Sequence, residues 1–299
     1  ITIDEPSSFD LIVPLTLTGA ASFNIDYTTN FPTEGTESLL MSKNSNQYNR
    51  FETLDDGRLI FLNSYRLIVY DPSTSETVEY ILNTDDGLTY FEVMQVSGNT
   101  IYLQSSEHLS KLEVSDLSDV PTGESGNIIL TEVLDLPSNA NFFYGDFSVE
   151  NNTVLYQTYA YANGNIYSVY KKVGNEDPIE LYSGYQNANK LFLFNDRAYK
   201  ADGQYIYELN NGQYSNSIYY NNNQFLFMKS YNGIAYFLVY DDNDGSREVH
   251  RIDIENDIIN GFGGNLGSST IVNYQLGEEI NLIYNFAFDN FSIFCCLWV

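Results

Sequence analysis

The chain has 299 residues and carries 13 Lys and Arg against 40 Asp and Glu, a formal net charge of −27. Such a surface repels nucleic-acid phosphates and anionic lipid headgroups, so neither is an expected partner. No run of about 18 apolar residues is present to insert into a membrane as a helix, and two cysteines exclude a disulfide framework.

In chain order, residues 1–48 offer two candidate strands, Leu11–Leu17 and Ala21–Tyr27, joined at Thr18-Gly19. Thr28–Tyr48 is mostly polar, holds Pro32 and Gly35, and reads as a connection. Regular structure begins at Asp55–Leu82. Leu59–Leu62 opens on the hairpin signal Asp56-Gly57. Arg66–Tyr70 follows and closes at Asp71-Pro72-Ser73, and Thr77–Leu82 is a third, more polar run.

The same unit then recurs: an apolar strand, a turn of Asn, Asp or Gly, and a second strand rich in Tyr, Phe, Ile and Leu. Its turns are Asp56-Gly57, Gly98-Asn99, Asn151-Asn152, Asn195-Asp196, Asn232-Gly233 and Asp289-Asn290. They lie about 37 to about 57 residues apart, the period of propeller blades. A third strand follows each of the first five hairpins: Leu67–Asp71, Leu109–Glu113, Ile166–Tyr170, Tyr205–Leu209 and Val249–Asp253. A polar fourth strand, such as Pro178–Tyr182 or Ser217–Tyr220, completes the unit. Inner strands covered on both faces read as continuous apolar runs, and an outer strand meeting solvent alternates.

On these residues the chain, from about residue 48 onward, resembles the β-propeller repeat proteins. The Gly-His and Trp-Asp pairs of WD repeats are absent, as are the signatures of kelch and sialidase repeats. The resemblance implies an all-β fold, a single propeller domain over residues 1–299. Five full units and a partial sixth at Asn281–Val299 predict six blades. The ring would close by pairing Phe291–Val299 with a strand from residues 9–28, which leaves no open edge. Seven blades result if residues 1–48 form a blade of their own.

The candidate chemistry is sparse. Asp241-Asp242-Asn243-Asp244-Gly245 places oxygen ligands at alternate positions before a glycine, as a calcium loop requires. With Gly245 at position six of such a loop, Asp242 and Asp244 fall on ligand positions. Tyr240 and Arg251 then occupy the first and twelfth, so a polar hairpin turn is the plainer alternative. With histidine limited to His108 and His250, and cysteine to the adjacent Cys295 and Cys296, neither a zinc site nor a nucleophile–histidine site is expected. Gly261–Gly267 is glycine-rich but lacks the lysine and the helix of a phosphate loop. The clusters Tyr156/Tyr159/Tyr161 and Tyr214/Tyr219/Tyr220 could stack on sugars or pack as strand formers.

The functional expectation is a non-catalytic extracellular, periplasmic or cell-surface propeller that binds a ligand or protein partner, with calcium its one candidate cofactor. A carbohydrate-active enzyme using paired channel carboxylates is one alternative. A structural subunit of a surface assembly is the other.

Overall fold

The run Asp55–Leu82 folds as its turn residues dictate. Asp56 and Gly57 turn the chain between Arg50–Thr53 and Leu59–Asn63. Gly57 adopts φ +87°, and its N–H donates to the Leu54 carbonyl at 2.9 Å. That φ lies in the region open to glycine. The Asp56 carboxylate accepts the Arg58 backbone N–H at 3.0 Å and the Arg58 Nε–H at 2.8 Å. Burial pushes the Asp56 carboxyl upward, but these hydrogen bonds and the Arg58 charge hold it below its ordinary value. After Arg66–Asp71, the Asp71 carboxylate accepts both the Ser73 N–H (2.8 Å) and the Ser73 hydroxyl (2.7 Å), and Glu76–Thr84 returns antiparallel. Side-chain acceptors two residues ahead of a donor are what make Asp a turn residue.

The computed structural model describes residues 9–16, 36–37, 41–44, 50–85, 87–117, 125–134, 140–160, 166–184, 190–202, 205–210, 213–219, 223–231, 234–241, 247–252, 270–272, 282–288 and 292–298. Their strands form six sheets. Five follow one another along the chain and are numbered first to fifth here. The sixth, the terminal sheet, contains both ends of the described chain. In the second to fifth sheets the strands stand in chain order, each antiparallel to the next.

The innermost strands are Arg50–Thr53, Val93–Ser97, Ala140–Glu150, Lys190–Phe194 and Asn223–Tyr231, with Leu282–Phe288 in the terminal sheet. Each lies against the next, and Leu282–Phe288 lies against Arg50–Thr53. Apolar clusters fill the spaces between successive sheets. The largest among the described residues joins the first and second, with Ile60, Leu67, Leu82, Ile101 and Leu103 all fully buried.

Two features depart from the sequence reading. Residues 28–48 are more than a connection: Thr36–Glu37 and Met41–Asn44 both pair with Phe9–Thr16. A strand left with an open edge recruits the chain that follows it. Ser125–Ile129 was not anticipated. It pairs parallel with Glu76–Thr84 of the first sheet, and the chain then enters the second sheet as Thr131–Leu134. Ile128 and Leu130 bury into the cluster between those sheets, so this segment straps them together at their outer edges. The expected partner of the chain's end is present: Ser292–Trp298 pairs antiparallel with Phe9–Thr16 over seven register positions, with Val13 opposite Cys295 and Ile12 opposite Cys296. Ala21–Tyr27 and Gly261–Gly267 lie outside the described residues.

Candidate functional site

The inner strand of a sheet has a neighbour on one edge only. Its other edge presents backbone N–H and C=O groups that need partners. Side chains from the adjacent sheet supply them. Gln95, on Val93–Ser97, donates its Nε2–H to the Phe147 carbonyl, and its Oε1 accepts the Val149 N–H at 3.1 Å. The strand Ala140–Glu150 is irregular between Phe142 and Phe147, ahead of the two residues that Gln95 satisfies. Ser148 continues the pattern: its Oγ accepts the Leu193 N–H of the fourth sheet at 2.9 Å.

Glu150 does the same at the strand ends. Its carboxylate accepts the N–H groups of Asn195 (3.1 Å) and Asp196 (2.7 Å), both in left-handed conformation. Lys171, on the same sheet as Glu150, donates to the Asp196 carbonyl.

Five of these inner strands line a partly open cavity of about 70 Å³, bordered by Glu52, Gln95, Val96, Ser148, Val149, Leu193, Met228 and Lys229. The first five sheets all contribute. Glu52 and Lys229 form an ion pair between the first and fifth sheets. Both side chains are largely buried, at 8% and 13% exposed. Phe51 beside Glu52 stacks on Phe61, with ring centroids 6.1 Å apart, and anchors the short strand that carries the acid. A buried charge is tolerated only with a partner, so pairing of the two is what the site demands. Ser148, whose oxygen already accepts a backbone N–H, keeps its own hydroxyl proton to donate.

The sequence reading did not single out Glu52, Gln95, Ser148 or Lys229. The available signal was a polar residue within a short inner strand. Of the residues it did name, Asp242 and Asp244 lie outside the described residues. No group of three His, Cys, Asp or Glu suited to a metal ion occurs among the described residues. Of the two readings of Tyr156, packing as a strand former is the one the structure shows: the side chain is 3% exposed, packs between the second and third sheets, and stacks on Tyr170 at 5.4 Å. Burial raises its pKa far above that of a free phenol. Tyr159 is half-buried and packs against Tyr167 at 5.0 Å, while Tyr161 and Tyr220 fall outside the described residues. His108 sits in a turn of the second sheet, its Nδ1 3.6 Å from a Glu132 carboxylate oxygen. No helix among the described residues is long and apolar enough to cross a membrane.

No family model matches the chain, and no curated protein matches it. Solved structures do. One assigned as TolB from Agrobacterium tumefaciens is 12% identical, with 87% of each chain covered and a TM-score of 0.52. The N-terminal domain of Nup159 is 11% identical over 89% of this chain and 80% of its own, with a TM-score of 0.47. The WD40 β-propeller domain of Doa1 is 9% identical over 69% of each chain, with a TM-score of 0.41. Identities this low speak to fold alone. Taken with the repeated four-stranded sheets, the TolB likeness shows a β-propeller fold.

Proposed function

We propose that this propeller is a non-catalytic module that binds a ligand or protein partner at its loops, in an extracellular, periplasmic or cell-surface setting. The cavity at the inner strands carries the reading. It is small, and among its described lining residues the carboxylate is that of Glu52, held by Lys229. Glycoside chemistry by a carboxylate pair needs two such groups about 5–10 Å apart with room for a sugar between them. Binding needs only the loops that the stacked sheets hold in place. The acidic surface, with its few cysteines, suits surroundings where counterions screen self-repulsion.

The proposal includes the architecture. Residues 1–299 form one domain whose six sheets are six blades, closed through the terminal sheet. In support, each inner strand lies against the next and the chain ends pair. Deleting residues 1–28 is expected to lower the melting temperature, and an unchanged melt would overturn the closure. Calcium at Asp242 and Asp244, in the connection after Ile234–Asp241, is proposed as a local reinforcement. Calorimetry at millimolar calcium is expected to detect it, and Asp244→Asn to weaken it.

A glycan array paired with a hydrolysis screen tests the main reading. Binding without turnover is the expected result. Turnover of any glycan, abolished by Glu52→Gln in a chain that still folds, would sink it.

A further inference from the structure

The strand Ser125–Ile129 widens the first sheet, and with it one of the sheet's two sides. Along Glu76–Thr84, Tyr80 and Leu82 turn into the cluster against the second sheet, so Glu79, Ile81 and Asn83 stand on the opposite side. Register partners share a side, and they extend this one into a grid. Asn83 lies between Leu88 and Ile129, and Ile81 lies between Arg66 and Asn127. Leu88 is 50% exposed and Ile129 72%, and Asn127, two positions before Ile129, is exposed as well. Two tyrosines rim the grid. Arg66 donates to the Tyr65 hydroxyl at 3.0 Å and stacks over its ring at 5.0 Å. Tyr90, 61% exposed, sets its ring edge-on to Tyr65 at 5.4 Å. Glu79 accepts from Arg66 at 2.8 Å through one carboxylate oxygen. The exposed ring is thus held in place before anything binds, which lowers the entropy cost of using it.

We propose that this face binds a neutral saccharide, laid across Glu76–Thr84 from Tyr90 to the strand Ser125–Ile129. This rests on the binding reading above and names its ligand class. Charge and area select the occupant. The charges of the grid, Arg66 and Glu79, cancel as a pair, while the chain as a whole stands at −27. An anion is repelled by the whole chain, and a cation finds the carboxylate of the grid already paired with Arg66. Three strands and three side-chain rows span about 10 by 13 Å. That is far short of the roughly 800 Å² per partner that a stable protein interface covers, so neither a second copy nor a folded partner is the natural occupant. A short saccharide fits it. The Asn127 amide offers a donor and an acceptor to ligand hydroxyls, and the Glu79 carboxylate has acceptor sites beyond the one that Arg66 takes. Leu88, Ile129 and the Tyr90 ring meet the apolar C–H surface between those hydroxyls.

An array of neutral glycans, read with the fluorescein-labelled full chain, is the first probe, and calorimetry with the best-bound glycan is the second. Binding is expected, and raising sodium chloride to about 1 M should leave it unchanged, because no charge is neutralised. Tyr90→Ser should weaken it by about tenfold or more, and Asn127→Ala by about threefold to tenfold. Ile179→Ser, at a comparably exposed apolar residue on the outermost strand of the third sheet, should leave it unchanged. All three side chains are exposed, and an unchanged melt confirms that each variant folds. An affinity untouched by both Tyr90→Ser and Asn127→Ala overturns the proposal, as does one that falls steeply with salt. A chain that binds a protein partner but no neutral glycan loses this face and keeps the binding reading. Turnover abolished by Glu52→Gln removes the binding reading, while Tyr90-dependent affinity in the Glu52→Gln chain still reports on this face.

Discussion

The seam between the first and second sheets and the seam between the third and fourth are held by different forces. The first is apolar: Leu54, Ile60, Leu67, Leu82, Met94 and Leu103 belong to one buried cluster, and the Ser125–Leu134 segment laces it shut from outside. The second has a smaller cluster around Leu155, Val169 and Leu193, supplemented by ties from Ser148, Glu150 and Lys171 to the backbone of the fourth sheet. Burial is non-directional and grows with area, so an apolar seam fixes that two sheets meet. Hydrogen bonds act only over a narrow range of distance and angle, so a polar seam also fixes where they meet.

The largest expected effect lies outside both seams, at the ion pair between the first and fifth sheets. Glu52→Met leaves Lys229 without its buried counterion, and losing one member of such a pair costs about 3–5 kcal/mol. Glu52→Met combined with Lys229→Met is expected to recover most of that loss. Urea denaturation of both singles and the double separates the outcomes. If the double is no better than the singles, the pair is not the unit that matters between the first and fifth sheets. On the apolar side, Leu103→Ala empties a fully buried site in the largest cluster, and about 2–5 kcal/mol is expected. Ser148→Ala should cost less, about 1–3 kcal/mol, because it orphans the buried Leu193 N–H. Hydrogen exchange sharpens the distinction. Ser148→Ala should speed exchange at Leu193 beyond what global stability explains, while Leu103→Ala should act through global stability.

What could be read in the sequence follows the same division. The hairpins were legible because their cause is local: Asn151, Asn195 and Asp196 take left-handed conformations that Asn and Asp tolerate, and Gly57 and Gly98 take positive φ. The apolar strands between them were legible from their period. The polar ties were not. Glu52 and Lys229 stand 177 positions apart, and nothing in either neighbourhood names the other. Gln95 looks like any polar residue in a strand until the irregular stretch before Phe147 gives it a task. Ser125–Ile129 escaped because its partner belongs to the preceding unit. Tyr156 stayed open between two readings because a phenol that stacks on sugar and one that stacks on Tyr170 have the same sequence signature.

The smallest expected effect has the opposite sign. Ser110 is 1% exposed, and its Oγ finds no hydrogen-bond partner among the described residues. It stands directly across from Leu103 on the neighbouring strand, so its hydroxyl sits beside the apolar seam. An unsatisfied buried hydroxyl is a cost that the folded chain carries, and removing the oxygen leaves a void smaller than a methyl group. Ser110→Ala is therefore expected to leave stability unchanged or to raise it by up to about 1 kcal/mol, where Ser148→Ala lowers it. The same chemical change at two buried serines thus acquires its sign from the seam that holds each one. Paired urea melts of the two variants check this, and a loss at Ser110 as large as that at Ser148 would mean that the first seam, too, depends on a polar tie.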